Sequence, residues 1–357
     1  MGFRANSIQA AVLYGKEDVR VEWVPVPAIG PGEILVRVRA ALTCGTDLKV
    51  FLRGYHAQMI QPPALFGHEV AGDVAALGAG VETFKIGERV VAANSAPCDG
   101  CFFCRHDRQN LCENLLFNNG AYAEYIRIPE RIVRKNTHVI PDDLAYKHAA
   151  MVEPLACALR GMDESGVRPG DTVAVLGLGP IGLMFVRLAR YAYGARVIAI
   201  ARRVEQVDQA MMLGAHEGIL LSDDVELESD AAVISAVKTR TDQRGADVVI
   251  EAVGSPAAWE LAIQLVRPGG LVNFFGGCAS GTKVALDTNL LHYSEITCKA
   301  SFHHTPSHIA RSLELLEDGT VDAGAFVNNE KPLNALPQVL SDLAHHRNGQ
   351  IKTAIIP

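Results

Sequence analysis

The stretch that most constrains this 357-residue chain is Thr172-Val173-Ala174-Val175-Leu176 followed at once by Gly177-Leu178-Gly179-Pro180-Ile181-Gly182. An unbroken apolar run of that length predicts a strand buried on both faces, as in a parallel sheet. The glycine spacing fits G-x-G-x-x-G. Among 32 glycines that pattern alone says little, but here it sits where a buried strand ends and a helix begins. The first glycine permits the tight turn, the second lets backbone approach a pyrophosphate, and the third lets helix pack on strand. The helix N-terminus then faces the phosphates.

The same texture continues. Arg196–Ile200, Ile219–Leu221, Asp247–Ile250 and Leu271–Phe275 read as strands, with helices from the glycine loop to about Tyr193 and over Val204–Leu213. Strands alternating with helices predict βαβ units and a doubly wound α/β sheet. The second strand leads into Ala201-Arg202-Arg203, with no acid before Glu205. An acid there would hold the ribose hydroxyls of NAD, whereas arginine accommodates the 2′-phosphate of NADP. The reading favours NADP(H) with NAD(H) possible. It stands beside the plainer one, that Arg202 and Arg203 are solvated residues at a helix start.

Chain length implies two domains. Before the strand at Thr172 the chain is β-rich: Gly32–Ala40 alternates behind a Gly-Pro-Gly turn, and Val70–Ala76 and Glu88–Ala92 are short strands. Net charge is -7, from 33 Lys+Arg against 40 Asp+Glu, and no basic block exceeds Arg202-Arg203. Neither a nucleic acid nor an anionic membrane is expected as partner. The longest apolar run, Val173–Val186, is broken by glycines and Pro180, so no membrane span is expected. Met1–Asn6 has no apolar signal region. A cytoplasmic protein is expected.

Four of the eight cysteines fall within fifteen residues, as Cys98-x2-Cys101-x2-Cys104-x7-Cys112. In a reducing compartment such clustering argues for metal. Four thiolates on a compact loop can close a tetrahedral structural zinc site. An iron–sulfur cluster is the rival, but its bacterial pattern ends C-x3-C-P, and four unligated thiols remain the plain alternative. Elsewhere, Cys44-Gly45-Thr46-Asp47 follows a strand, Gly67-His68-Glu69 precedes one, and Glu153-Pro154 opens a helical stretch over Leu155–Gly161. A Cys, a His and two acids can surround one zinc and leave a position for substrate, although spacing alone does not bring them together.

Taken in order, Cys-Gly-Thr-Asp, Gly-His-Glu, the cysteine lobe, Glu-Pro-Leu and Gly-Leu-Gly-Pro-Ile-Gly resemble the zinc-containing medium-chain alcohol dehydrogenases, in the branch of sorbitol (polyol), threonine and related bacterial alcohol dehydrogenases. The resemblance runs from about Ala10 to the C-terminus. It implies an α/β chain with a GroES-like β-rich catalytic domain, residues 1–157 and 293–357, and a Rossmann cofactor domain, residues 158–292. It implies two zinc ions per chain: a catalytic one at Cys44, His68, Glu69 and Glu153, and a structural one at Cys98, Cys101, Cys104 and Cys112. Thr46 matches the hydroxyl residue that hydrogen-bonds the alcohol and starts the proton relay. Ile181 matches a residue packing on the cofactor, and Val253 and Gly276 match strand ends facing the nicotinamide.

Three positions depart from the family pattern. Lys49 stands where a relay histidine is usual, Ala201 where a ribose-binding acid is usual, and Phe302-His303-His304 where the polyol enzymes carry an Arg-Tyr pair. Strand alternation from Glu295–Ser301 would point one of the two histidines at the substrate, with His303 the candidate. The implied reaction is hydride transfer between a secondary alcohol or polyol, or its ketone, and NAD(P). A sugar or aminocyclitol ring hydroxyl, or an L-threonine-type amino alcohol, is the alternative substrate. The resemblance also implies a homotetramer (or homodimer) in which the strand near Leu271–Phe275 pairs two cofactor domains.

Overall fold

The computed structural model describes residues 6–56, 59–221, 231–345 and 350–357; residues 1–5 of the N-terminal segment lie outside the described residues. The chain divides into two compact units, Met1–Ala156 with His304–Pro357, and Cys157–His303.

The first unit is a GroES-like β-structure. Ile34–Leu42 shows how sequence builds it: Ile34, Val36, Val38 and Ala40 are buried while Arg37 and Arg39 are exposed, the alternation of a half-buried strand. Toward its end Ala40, Ala41 and Leu42 are all buried as the chain enters the interior. The main sheet runs Thr137–Val139, Arg89–Ala92, Val70–Leu77, Ile34–Leu42, Lys352–Ile356, Val327–Pro332, with Tyr125–Ile128 also paired to Ile34–Leu42. A smaller sheet orders Asp18–Pro25, Ser7–Gly15 and Ala64–Leu65. Residues from both sheets share one apolar core, including Leu13, Ile34, Val36, Phe66, Val70 and Ile128. The last strand of the chain is inserted beside Ile34–Leu42 through Ala354↔Leu42 and Ile355↔Ala41. Thr43 and Thr353 then exchange hydrogen bonds, Thr43 N to Thr353 O and Thr353 N to Thr43 Oγ1, both 3.0 Å.

The second unit is a six-stranded, wholly parallel sheet in the order Glu217–Leu220, Arg196–Ala201, Thr172–Leu176, Ala246–Glu251, Val266–Phe274, Thr297–Ala300. Val173 to Leu176 are fully buried, as the apolar run requires. Helices Pro180–Tyr191, Val204–Met212, Ala231–Thr239 and Pro256–Leu265 connect the strands. Counting along the chain, the strand order is that of a Rossmann fold. Its order reverses between Thr172–Leu176 and Ala246–Glu251, where such sheets bind ligands.

Three expectations differ in detail. The chain returns to the first unit at His304 rather than at 293, because Thr297–Ala300 pairs with Val266–Phe274 and extends the cofactor sheet. The strand expected at Leu271–Phe275 starts at Val266 and runs through Pro268-Gly269-Gly270, with a register shift between Ala246 and Val248 of its neighbour. That strand is not an edge. Thr297–Ala300 covers it, and the residues open to a second sheet are Thr297, Cys298 and Ala300.

Candidate active site

Cys44 caps the helix Gly45–Arg53. Its extended backbone turns the chain into the helix, and its sulfur accepts the backbone N–H of Thr46 at 3.4 Å. His68 and Glu69 lie in the link from Ala64–Leu65 to Val70–Leu77, where Gly67 takes a φ of +90°. One ligand atom from each of Cys44, His68 and Glu69 lies within 4.8 Å of the others. His68, Glu69 and Glu153 are buried.

The imidazole is aimed. Asp47 Oδ1 takes Nδ1 of His68 at 2.9 Å, which leaves Nε2 as the coordinating nitrogen. Burial opposes charge on His68, but Asp47 and then Cys44 push its pKa well above the histidine range. Burial, and after it Glu69, pushes the Cys44 thiol up. Burial likewise pushes Glu69 up to about 7, against the pull of Lys352. The Lys352 ammonium sits 2.7 and 3.0 Å from the two Glu69 oxygens and 2.8 Å from the Thr43 carbonyl. Glu153 also bears on Glu69, raising its pKa by repulsion. Cys44, His68 and Glu69 thus bring sulfur, imidazole and carboxylate together, with Asp47, Glu153 and Lys352 acting on them. That donor set fits a divalent borderline-soft cation such as zinc.

Near Glu153, His304 is buried with Nε2 3.7 Å from Glu153 Oε1 and 3.3 Å from Asn94 Oδ1. Among the candidate residues, Thr46 is half-buried in the first helical turn and Lys49 is exposed on the same helix. His303 belongs to the second unit. The strand before it ends at Ala300, so strand alternation does not govern it; it takes a φ of +65° and stacks on Phe302. Sequence reading singled out neither Asn94, Tyr122 nor Lys352, and it did not give Asp47 its part in orienting His68. Asp47 alone carried a local signal, three residues beyond Cys44.

The cysteine lobe closes on itself. Cys98, Cys101, Cys104 and Cys112 bring their sulfurs within 4.8 Å of one another. Asp99 and Asp107 take the left-handed turns that bend the loop, with φ of +59° and +57°. Backbone amides point at sulfur: Cys104 N to Cys101 Sγ at 3.5 Å, and Cys98 N to Cys112 Sγ at 3.2 Å. The Cys104 amide pulls Cys101 down to about 6, and the Gly100 amide lowers Cys98, while burial raises Cys104 and Cys112. The Lys135–Asp99 ion pair ties the lobe to the helix Glu130–Asn136. All four thiols are free of disulfides, and the set suits a closed tetrahedral zinc.

In the second unit the strand Thr172–Leu176 runs into Gly177, at φ +93°, and then into the helix Pro180–Tyr191, whose cap Gly179 offers no side chain. A Cβ on Gly182 would stand 1.9 Å from the Gly177 carbonyl, so that glycine is demanded by packing. A Cβ on Gly179 would meet nothing within 4 Å. Protein packing leaves that face of the loop open, and uncapped helix amides point there, as a pyrophosphate requires. Ile181 is half-buried on the first turn. Val253 leans against Gly177 from the neighbouring strand end, and its amide and that of Gly254 both donate to Glu251 Oε1 at 2.7 Å. Gly276 N donates to the Glu251 carbonyl at 2.8 Å. At the end of Arg196–Ala201, Ala201 is buried, Arg202 exposed and Arg203 half-buried. Gln206 Nε2 reaches back to the Leu178 carbonyl at 2.8 Å.

Residues 30–142 match the alcohol dehydrogenase GroES-like domain, and residues 180–318 match the zinc-binding dehydrogenase domain. The chain is 30% identical over 359 residues to a sorbitol dehydrogenase of Bacillus subtilis, covering 99% of this chain and 98% of that one. It is 31% identical over 351 residues to an L-threonine 3-dehydrogenase of Bacillus licheniformis, covering 96% of each. In structure it is similar to a zinc-binding dehydrogenase from Sinorhizobium meliloti 1021 bound to NADP, with a TM-score of 0.88, 31% identity, and 98% and 99% coverage.

Proposed function

The chain belongs to the zinc-containing medium-chain alcohol dehydrogenase family and is an oxidoreductase acting on CH–OH donors, and from that premise we propose a two-zinc, NADP(H)-favouring dehydrogenase of secondary alcohols or polyols. The observation that carries the reading is the Cys44–His68–Glu69 cluster with the Asp47-oriented imidazole.

Zinc, when bound, supplies a Lewis acid that lowers the pKa of the substrate hydroxyl. Cys44 and His68 hold it, and Glu69 and Glu153 complete the donor set. The Thr46 hydroxyl would accept the substrate proton as it releases its own to water, and the exposed Lys49 stands on the same helix. His304 and Asn94, beside Glu153, offer polar groups to the further hydroxyls of a polyol. His303 remains a candidate for substrate binding. The glycine loop of Gly177, Gly179, Pro180, Ile181 and Gly182 receives the pyrophosphate, and Val253 and Gly276 flank the nicotinamide.

Arg202 and Arg203, beside Ala201, receive the 2′-phosphate of NADP. Charge-assisted bonds of this kind contribute about 1.5–3 kcal/mol each, enough to favour NADP roughly tenfold to a hundredfold. The NADP-bound structural neighbour supports this reading. A homotetramer, with the open edge Thr297–Ala300 as the site of pairing, and a cytoplasmic location in keeping with the free thiols complete the proposal.

The test is turnover with each cofactor on a panel of secondary alcohols, acyclic polyols, ring polyols and L-threonine, run with zinc analysis. Oxidation of a secondary alcohol or polyol, with NADP preferred, supports the reading. No turnover on any substrate by protein that carries zinc at Cys44 and His68 would overturn it.

A further inference from the structure

We propose that Tyr122 is a positioning residue of the catalytic metal site, a single phenol that holds both arms carrying its ligands; this rests on the zinc reading of Cys44 and His68 above. Tyr122 is among the largest fully buried side chains of the chain. Its hydroxyl lies 2.6 Å from Asp47 Oδ2 and 2.9 Å from the carbonyl of Leu42. A phenol has one proton and both neighbours are acceptors, so the proton is shared, with the shorter bond going to the carboxylate. The other oxygen of the same carboxylate takes Nδ1 of His68 at 2.9 Å. The Leu42 carbonyl belongs to the strand that delivers Cys44, and Leu42 N in turn donates to the Glu69 carbonyl at 3.1 Å.

The ring makes a second attachment. A Cβ on Gly67 would stand 2.5 Å from the Tyr122 ring, so the aromatic face lies where the residue before His68 would carry its side chain. The glycine of Gly-His-Glu is therefore required by its φ of +90° and by this ring together. Backbone bonds fasten the same contact: Tyr122 N to Phe66 O at 3.0 Å and Ala121 N to Gly67 O at 3.1 Å.

The chain from Tyr122 to His68 runs through one carboxylate, with each oxygen used once. With the phenol proton in place, Asp47 is fixed in the plane that presents Nδ1 of His68 and leaves Nε2 directed at Cys44. Without it, Asp47 Oδ2 is a buried acceptor with no donor and the carboxylate can rotate off the imidazole. The ring of Phe would keep the packing on Gly67 and Phe66. Tyr122→Phe therefore isolates the hydroxyl.

The experiment measures release of each zinc from the holoenzyme to a chelator. It compares the parent with Tyr122→Phe, Asp47→Asn and the double variant, and records the ligand-field spectrum of the cobalt-substituted forms. The expected result for Tyr122→Phe is one zinc leaving about tenfold faster, the cysteine-lobe zinc leaving at the parental rate, and a shifted cobalt spectrum. In the Asp47→Asn background the same change has less than a twofold effect, because the relay is already broken. Parental release of both zincs, equal acceleration of both, or an undiminished Tyr122 effect in the Asp47→Asn background would each overturn the proposal. A parent holding zinc in the cysteine lobe alone would instead overturn the zinc reading on which it rests.

Discussion

Replacing Lys352 with methionine removes the ammonium that pairs with Glu69. Lys352 and Glu69 are both buried, and the ammonium makes three contacts, two to Glu69 and one to the Thr43 carbonyl. Burial alone would lower the Lys352 pKa, but Glu69 and Cys44 outweigh it and raise it, so the pair is charged on the lysine side. Breaking such a pair from one side leaves a buried carboxylate and a carbonyl without a donor, at a cost of about 3–5 kcal/mol. Methionine keeps most of the stem volume, so the cavity contribution is small. The melting temperature should fall by about 4–7 °C for a chain of this size. Compared in the metal-free protein, so that loss of the Glu69 ligand does not enter, the double variant Glu69→Leu/Lys352→Met removes both charges and should recover most of that loss, since buried pairs are often replaced by apolar residues at little cost. Differential scanning calorimetry on the purified variants decides it. A single variant within about 2 °C of the parent, or a double variant no more stable than the single, would refute the reasoning.

Three further outcomes are expected. Ala201→Asp places a carboxylate at the ribose position and should shift kcat/KM from NADP toward NAD by tenfold or more, as read from initial rates with both cofactors; an unchanged ratio would remove this strand end from cofactor selection. His304→Ala should raise KM for the alcohol several-fold with the cofactor KM unchanged, and unaltered kinetics would take His304 out of the site. Asp247 accepts Thr172 N at 2.7 Å and Arg267 Nε at 2.6 Å. Burial alone would raise its pKa, but the Thr172 amide and Arg267 outweigh it and hold it below the usual aspartate range. Its stabilising contribution is thus complete above that range and lost as pH falls through the lower folded pKa. Acid titration of unfolding should show a stability difference between the parent and Asp247→Asn that shrinks toward low pH, and a difference that grows there would contradict this.

What could be read from the sequence was what lies close along the chain. The glycine loop announces itself because a turn, a backbone approach and a helix–strand contact fall within six residues. The cysteine lobe does so because its four ligands span fifteen. Cys44, His68, Glu69 and Glu153 were legible as separate short motifs, and only the fold places Cys44, His68 and Glu69 within 4.8 Å of one another. The supporting groups were out of reach for the same reason. Lys352 meets Glu69 across 283 positions, Tyr122 meets Asp47 across 75, and His304 meets Asn94 across 210. Such encounters depend on sheet order, and above all on the return of Lys352–Ile356 beside Ile34–Leu42. Boundaries slipped where local signals competed with pairing. Pro268-Gly269-Gly270 reads as a break, yet parallel pairing carries the strand through it.

The central claim is that the chain holds one zinc at Cys44 and His68 for chemistry and another in the cysteine lobe for structure. Elemental analysis of freshly prepared protein, beside His68→Ala and Cys101→Ser, tests it most directly. Two zincs per chain are expected in the parent. One is expected in His68→Ala, folded and without turnover, and one in Cys101→Ser, with lowered stability. Iron in place of zinc, a single zinc in the parent, or full turnover by His68→Ala would contradict it.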